Sequence, residues 1–141
     1  MRTSENCIFC KIAAGEIPCT KVFEDDTVLA FMDISPLNKG HLLVIPKEHF
    51  DNIMEMDSRL YGHMASVICN LAKAVKGALN PEGANVMQLN GKAGNQVVPH
   101  VHMHLVPRWT GDGLTICAWE PVPGDKNEIM QHAENIKAQL R

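Results

Sequence analysis

Three histidines alternate with apolar residues in His100-Val101-His102-Met103-His104-Leu105-Val106, and no other stretch of the chain carries as much potential chemistry. Side chains of an extended strand point alternately to its two faces. The three imidazoles therefore share one face, and Val101, Met103 and Leu105 share the other. On a helix the same spacing would scatter the rings around the axis. A neutral imidazole can attack through one nitrogen while the other donates a hydrogen bond, and it can also bind a metal. A strand face turned to water would ordinarily carry Thr, Lys or Glu instead. The preceding segment, from Asn90-Gly91-Lys92 to Val98-Pro99, combines two glycines with short polar residues. By itself such a loop is an ordinary connection. Beside a row of imidazoles, its backbone N–H groups become a candidate cradle for phosphate.

Cys7-x-x-Cys10 is the second constellation, and taken alone it is equally compatible with zinc, redox chemistry or chance. A thioredoxin-type role would place it at a strand–helix junction inside a βαβ unit, which the chain lacks. His132-Ala133-Glu134 mimics the H-x-E of zinc deaminases, but the downstream P-C-x-x-C is missing. Cys19, Cys69 and Cys117 read as small buried apolar groups, and His63 and His132 as surface residues.

The elements that must position these groups follow from periodicity. A short helix is expected over 7–14, ending at Gly15. Strands are expected over 21–24 and 27–32 around the acidic turn Asp25-Asp26, and over 41–46. Leu60, Met64, Val67, Ile68, Leu71, Val75 and Leu79 follow helical spacing, and Asn80-Pro81 stops that helix. Two further strands fall at 84–89 and 100–106. A last helix starts near Lys126, with Asp125 as cap, Glu128 three residues on, and an apolar stripe of Ile129, Ala133, Ile136 and Leu140. Strands followed by helices, rather than alternating βαβ units, give an α+β fold with an antiparallel sheet, a long covering helix and a C-terminal helix.

The 141 residues fit a single domain, with a motif-bearing core over about 7–110 and an extension with its helix over 111–141. A net charge of -3 argues against a partner that is a nucleic-acid polymer or a membrane surface, while leaving room for one nucleotide. No apolar run approaches the ~20 residues of a membrane span. Five cysteines without a signal-peptide pattern point to a reducing, cytoplasmic setting.

The segment His100–Val106 resembles the H-φ-H-φ-H-φ-φ signature of the histidine-triad (HIT) superfamily. Asp33-Ile34-Ser35-Pro36, Gly40-His41-Leu42-Leu43-Val44-Ile45-Pro46-Lys47-Glu48-His49 and Cys7-Ile8-Phe9-Cys10-Lys11-Ile12 resemble its other characteristic stretches, in family order. Val101 stands where the related uridylyltransferases have proline, which favours a hydrolase of the Hint or Fhit type over a sugar-nucleotide transferase, and the chain is read as of the Hint-like nucleotide hydrolase branch. The resemblance implies a five-stranded HIT-like fold, a homodimer joining two such sheets, and a purine nucleotide substrate. Hydrolysis would pass through a nucleotidyl-histidine on His102, with His100 and His104 completing the catalytic set. It further implies that Asp33 holds the ribose with Ile34 beside it, and that Ile8, Phe9, Ile12 and Phe31 line the base slot. Asn90, Asn95, Gln96 and Val97 then lie at the phosphate. In zinc-bearing members the ligands fall at Cys7, Cys10, His49 and His100, one structural Zn2+ per chain. Asn95 departs from the family's usual glycine, and Val97 from a common Ser or Thr.

The expected reaction is that of a purine nucleoside phosphoramidase. A dinucleoside polyphosphate hydrolase and a nucleotide-binding regulatory protein with incidental turnover are the alternatives. A metalloenzyme using all three triad histidines as ligands is a further one.

Overall fold

The computed structural model describes residues 1–116 and 119–140. The elements are α1 (Ile8–Ala13), β1 (Lys21–Glu24), β2 (Val28–Met32), β3 (Leu42–Pro46), α2 (Ser58–Leu79), β4 (Gly83–Gln88), β5 (Met103–Arg108) and α3 (Lys126–Gln139). The five strands form one antiparallel sheet in the order β1-β2-β3-β5-β4.

Both faces of the sheet's centre are covered, and this is why β2 and β3 read as continuous apolar runs rather than alternating ones. On one face Val28, Ala30, Leu42, Val44, Val101, Met103 and Leu105 pack under α2, which contributes Met64, Val67, Ile68 and Leu71. On the other, Leu29, Phe31, Leu43 and Ile45 pack with Cys7, Phe9 and Cys10 of the N-terminal segment. Asp57 caps α2 by accepting from Arg59 N–H, and the helix ends where Asn80 turns left-handed at φ 49°. Gly40, at φ +80°, lets the chain enter β3 beside Leu79 and Pro107, where a Cβ would meet the Leu79 side chain at 2.5 Å.

Three expectations change. The strand assigned to 100–106 begins at Met103, so His100 and His102 precede the ladder. Pairing with β3 stops at Val44–Met103. Beyond it the Pro46 carbonyl accepts from the His100 ring, and Val101 N–H turns instead to Phe50 O at 2.8 Å. Cys69 is exposed on α2 and Cys19 only half-buried, because the apolar stripe of α2 runs through Met64, Ile68 and Leu71 and leaves position 69 outside it. Cys117 lies outside the described residues.

The C-terminal helix forms as its sequence dictates, with Asp125 accepting from Glu128 N–H. Its stripe nevertheless stays exposed, Ile136 by 62% and Leu140 by 74%. Among the described residues, no helix is long and apolar enough to cross a membrane.

Candidate functional site

The alternation of the triad survives the shortened strand. Val101, Met103 and Leu105 lie in the core under α2. His104 stands opposite Leu43 and Met87 on the other face. The His100 and His102 rings meet the edge of Phe9 at centroid separations of 5.8 and 5.1 Å, and His102 lies 4.9 Å from His104.

Hydrogen bonds then define each ring's proton. His102 Nδ1 is 2.7 Å from the His100 carbonyl. A carbonyl can only accept, so Nδ1 carries the hydrogen and Nε2 holds a free lone pair. His41 Nδ1 accepts from Leu37 N–H at 3.0 Å, which puts the His41 hydrogen on Nε2. That atom lies 2.9 Å from His104 Nδ1, so it donates there and leaves His104 with N–H at Nε2. The row thus presents one nucleophilic nitrogen, on His102, beside one hydrogen-bond donor, on His104. Asp33 approaches His41 Nε2 at 3.7 Å. Asp33, His41 and His104 could be read as a metal-binding trio. The Leu37 bond argues otherwise, because it makes the His41 atom facing the trio a donor rather than a ligand.

Burial holds these rings neutral. It lowers His41 and His102 below the ordinary value and takes His100 and His104 down to about 4; for His104 the nearby rings of His102 and His41 add to burial. The consequence for stability can be signed. Between pH about 6.5 and about 4 the unfolded chain binds a proton at His104 that the folded chain refuses. Stability is therefore expected to be undiminished above that window, to fall as pH drops through it, and to level off below. Urea midpoints for wild type and His104→Gln should diverge less at pH 5 than at pH 7.5, because the variant lacks this acid penalty.

Cys7 Sγ, Cys10 Sγ, His49 Nδ1 and His100 Nδ1 converge within 4.8 Å of one another. Sulfur–nitrogen distances are 3.2, 3.4 and 3.6 Å, and the two nitrogens are 3.2 Å apart. Zinc bond lengths at tetrahedral angles put S···N at about 3.6 Å and N···N at about 3.3 Å, so the donor set fits. The protons give an independent reason. His100 Nε2 donates to Pro46 O at 2.8 Å, and His49 Nε2 to the Asp51 carboxylate at 2.7 Å. Both Nδ1 lone pairs consequently face each other, an arrangement that a cation between them relieves.

The loop at 90–99 is shaped mainly from within. Gln96 spends its side chain on Gly91 N–H, Asp51 O and Val98 O, and Asn90 exchanges hydrogen bonds with Gln88 while accepting from Ile53 N–H. The N–H groups of Gly94, Asn95 and Gln96 bond inside the loop. Of 94–97, Val97 N–H is the one without a partner among the described residues, and its side chain is 90% exposed. Asn95 sits at φ 71°, ψ 23°. Asparagine tolerates this left-handed geometry better than most residues, so the departure from glycine keeps the backbone path. Asp33 accepts from Ser35 N–H at 2.8 Å, and Ile34 beside it is 93% exposed. Phe9 and Phe31 are buried edge-to-face, Ile12 is half-buried and Ile8 exposed.

In the sequence His41 carries no role beyond its place in the Gly40–His49 stretch, and nothing there singles out Asp51. A histidine two residues from an aspartate in a loop carries no periodic cue, whereas the Gly-His that opens β3 at least lay in a motif.

A five-stranded antiparallel sheet carrying this imidazole row defines a histidine-triad protein, and the chain belongs to the HIT family: the HIT domain model matches residues 14–111. It is 47% identical over 115 residues to "Protein hit" of Bacillus subtilis, covering 81% of this chain and 79% of that one. With "Adenosine 5'-monophosphoramidase hnt1" of Schizosaccharomyces pombe it shares 41% identity over 137 residues, covering 96% and 99%. The crystal structure of a HIT family protein from Bacillus anthracis superposes with a TM-score of 0.91 at 39% identity, covering 99% of this chain and 100% of that one. A Zn-bound histidine triad family protein from Mycobacterium smegmatis superposes at 0.77 with 34% identity, covering 97% and 100%.

Proposed function

We propose that the protein hydrolyses purine nucleoside phosphoramidates through a covalent nucleotidyl-histidine on His102. The observation that carries this reading is the pair of ring states: a lone pair on His102 Nε2 beside an N–H on His104 Nε2. The His102 nitrogen attacks the α-phosphorus as its bond to the amine breaks, the amine leaving with a proton from solvent, and water later cleaves the phosphorus–nitrogen bond to the ring and returns that proton. His104 Nε2–H and Val97 N–H donate to the charged non-bridging oxygens. Asp33 receives the ribose hydroxyls, and Ile34, Ile8 and Ile12 border the base against the Phe9–Phe31 pair. The Schizosaccharomyces pombe relative, by its name an adenosine 5'-monophosphoramidase, supports the substrate class.

In the same reading Cys7, Cys10, His49 and His100 hold one Zn2+. Four protein donors close the tetrahedron, so the ion ties the N-terminal segment to the triad and activates no water. A homodimer joining two such sheets would meet through β4, an edge strand whose Val86 is 52% exposed.

Protein quenched during turnover of an adenosine phosphoramidate is expected to gain the mass of one adenylyl group, located by peptide mapping on His102. Turnover with no adduct under single-turnover conditions would count against the covalent scheme. Preference for dinucleoside polyphosphates over phosphoramidates would move the substrate assignment and leave the scheme intact.

A further inference from the structure

The two imidazoles of the metal cluster are oriented in different ways. His100 is buried, and its Nε2–H is held by the neutral carbonyl of Pro46 at 2.8 Å. His49 is at the rim, and its Nε2–H meets a carboxylate, Asp51 Oδ1, at 2.7 Å. The Asp51 side chain is 60% exposed, so water competes fully for it unless something holds it in place. Its backbone is pinned on both sides. Asp51 N–H donates to Glu55 Oε1 at 2.7 Å, and Asp51 O accepts from Gln96 Nε2 at 2.6 Å. An exposed carboxylate whose main chain is fastened at both ends is delivered to one place, and that place is the outer nitrogen of His49.

We propose that Asp51 is a positioning residue for the metal centre: its carboxylate fixes the Nε2–H tautomer of His49 and makes Nδ1 a stronger lone-pair donor to an ion shared with Cys7, Cys10 and His100. The inference rests on the zinc reading above and adds a fifth residue to it. The physical reason is general. A ligating imidazole bound to a carboxylate loses the freedom to turn or to switch tautomers, and the partial negative charge raises its basicity. A carbonyl suffices for buried His100, which packing already restrains against Phe9. His49, less enclosed, depends more on its partner. Through Gln96, which also accepts from Gly91 N–H, the same residue joins the metal cluster to the phosphate loop.

The test is equilibrium transfer of zinc from the as-purified protein to a chromophoric chelator, for wild type, Asp51→Ala and Asp51→Asn. Asp51→Ala is expected to bind zinc about 10–100-fold more weakly than wild type. Asp51→Asn keeps an acceptor oxygen but loses the charge, and should fall between. In excess zinc all three should melt at closely similar temperatures, because the residue acts on affinity and not on the fold. Wild-type affinity in Asp51→Ala overturns the proposal, as does a lower melting temperature in excess zinc with affinity unchanged. Should Asp51→Ala not fold, Asp51→Asn decides alone, and wild-type affinity there is the overturning result. A wild-type protein that holds no zinc would instead remove the zinc reading itself, an outcome visible before any variant is compared.

Discussion

Replacing His102 with Asn is expected to leave a folded protein that still binds AMP and has lost turnover by about 10³-fold or more, on the order of 4 kcal/mol of barrier. The His102 ring is buried against Phe9, and its Nδ1–H is spent on the His100 carbonyl. An Asn side chain can offer Nδ2–H to the same carbonyl, so the local hydrogen bond survives the change. What disappears is Nε2, the only ring nitrogen of the row with a free lone pair directed away from the protein's own hydrogen bonds. His104 cannot take over, because its Nδ1 receives the His41 hydrogen and its Nε2 bears one. His100 cannot either, since both of its nitrogens are engaged, one by Pro46 and one in the cluster with Cys7, Cys10 and His49. Binding and the oxyanion donors remain, which is why some residual rate is expected rather than none. Steady-state kinetics and AMP titration on the same preparation separate the two effects. If the variant keeps more than about a tenth of wild-type turnover, a loss below ~1.4 kcal/mol, the nucleophile lies elsewhere.

The second large effect is on stability. Cys10→Ser is expected to cost the zinc-linked share of the fold. An ion held at about 1,000 times its dissociation constant adds ~4 kcal/mol. At roughly 3 °C per kcal/mol for a chain of this size, the melting temperature should fall by ~10 °C or more. Cys10 is buried and faces both His49 and His100, so serine there removes a soft donor that no neighbour replaces. Turnover should respond differently. His104 and its hydrogen bond from His41 do not pass through the metal, and the His100 carbonyl that holds His102 belongs to the backbone. Single-turnover hydrolysis by the folded, metal-free variant, well below its melting point, should be reduced and still measurable. Complete loss restored in proportion to added zinc would mean that the metal activates water. The covalent-histidine scheme would then fail.

Much of this protein is decided locally, and to that extent its sequence alone determined the outcome. The period-two alternation at 100–106 sorts Val101, Met103 and Leu105 from the three rings even though the ladder starts only at Met103. The spacing from Leu60 to Leu79 and the Asp125–Glu128 cap specify their helices through contacts within a few residues. Resemblance of motifs, rather than spacing, named the four residues that the fold brings to one point.

Only the tertiary structure decided the states of His104 and His100, whereas the partner that sets His102 is a carbonyl two residues away. The proton on His41 is placed by Leu37, that on His104 by His41 from 63 positions away, and that on His100 by a carbonyl 54 positions away. The strand's late start at Met103 likewise follows from Val101 N–H turning to Phe50 O while β3 runs on to Pro46, and Asp51 gains a role only because the Gln96 side chain reaches its carbonyl. The exposed stripe of α3 shows the same division: amphipathic spacing forms the helix, but it contains nothing about what the apolar face will meet. Propensity and periodicity act over one or two turns of chain, whereas a tautomer or a ligand's orientation is set by whichever distant atom occupies the next 3 Å.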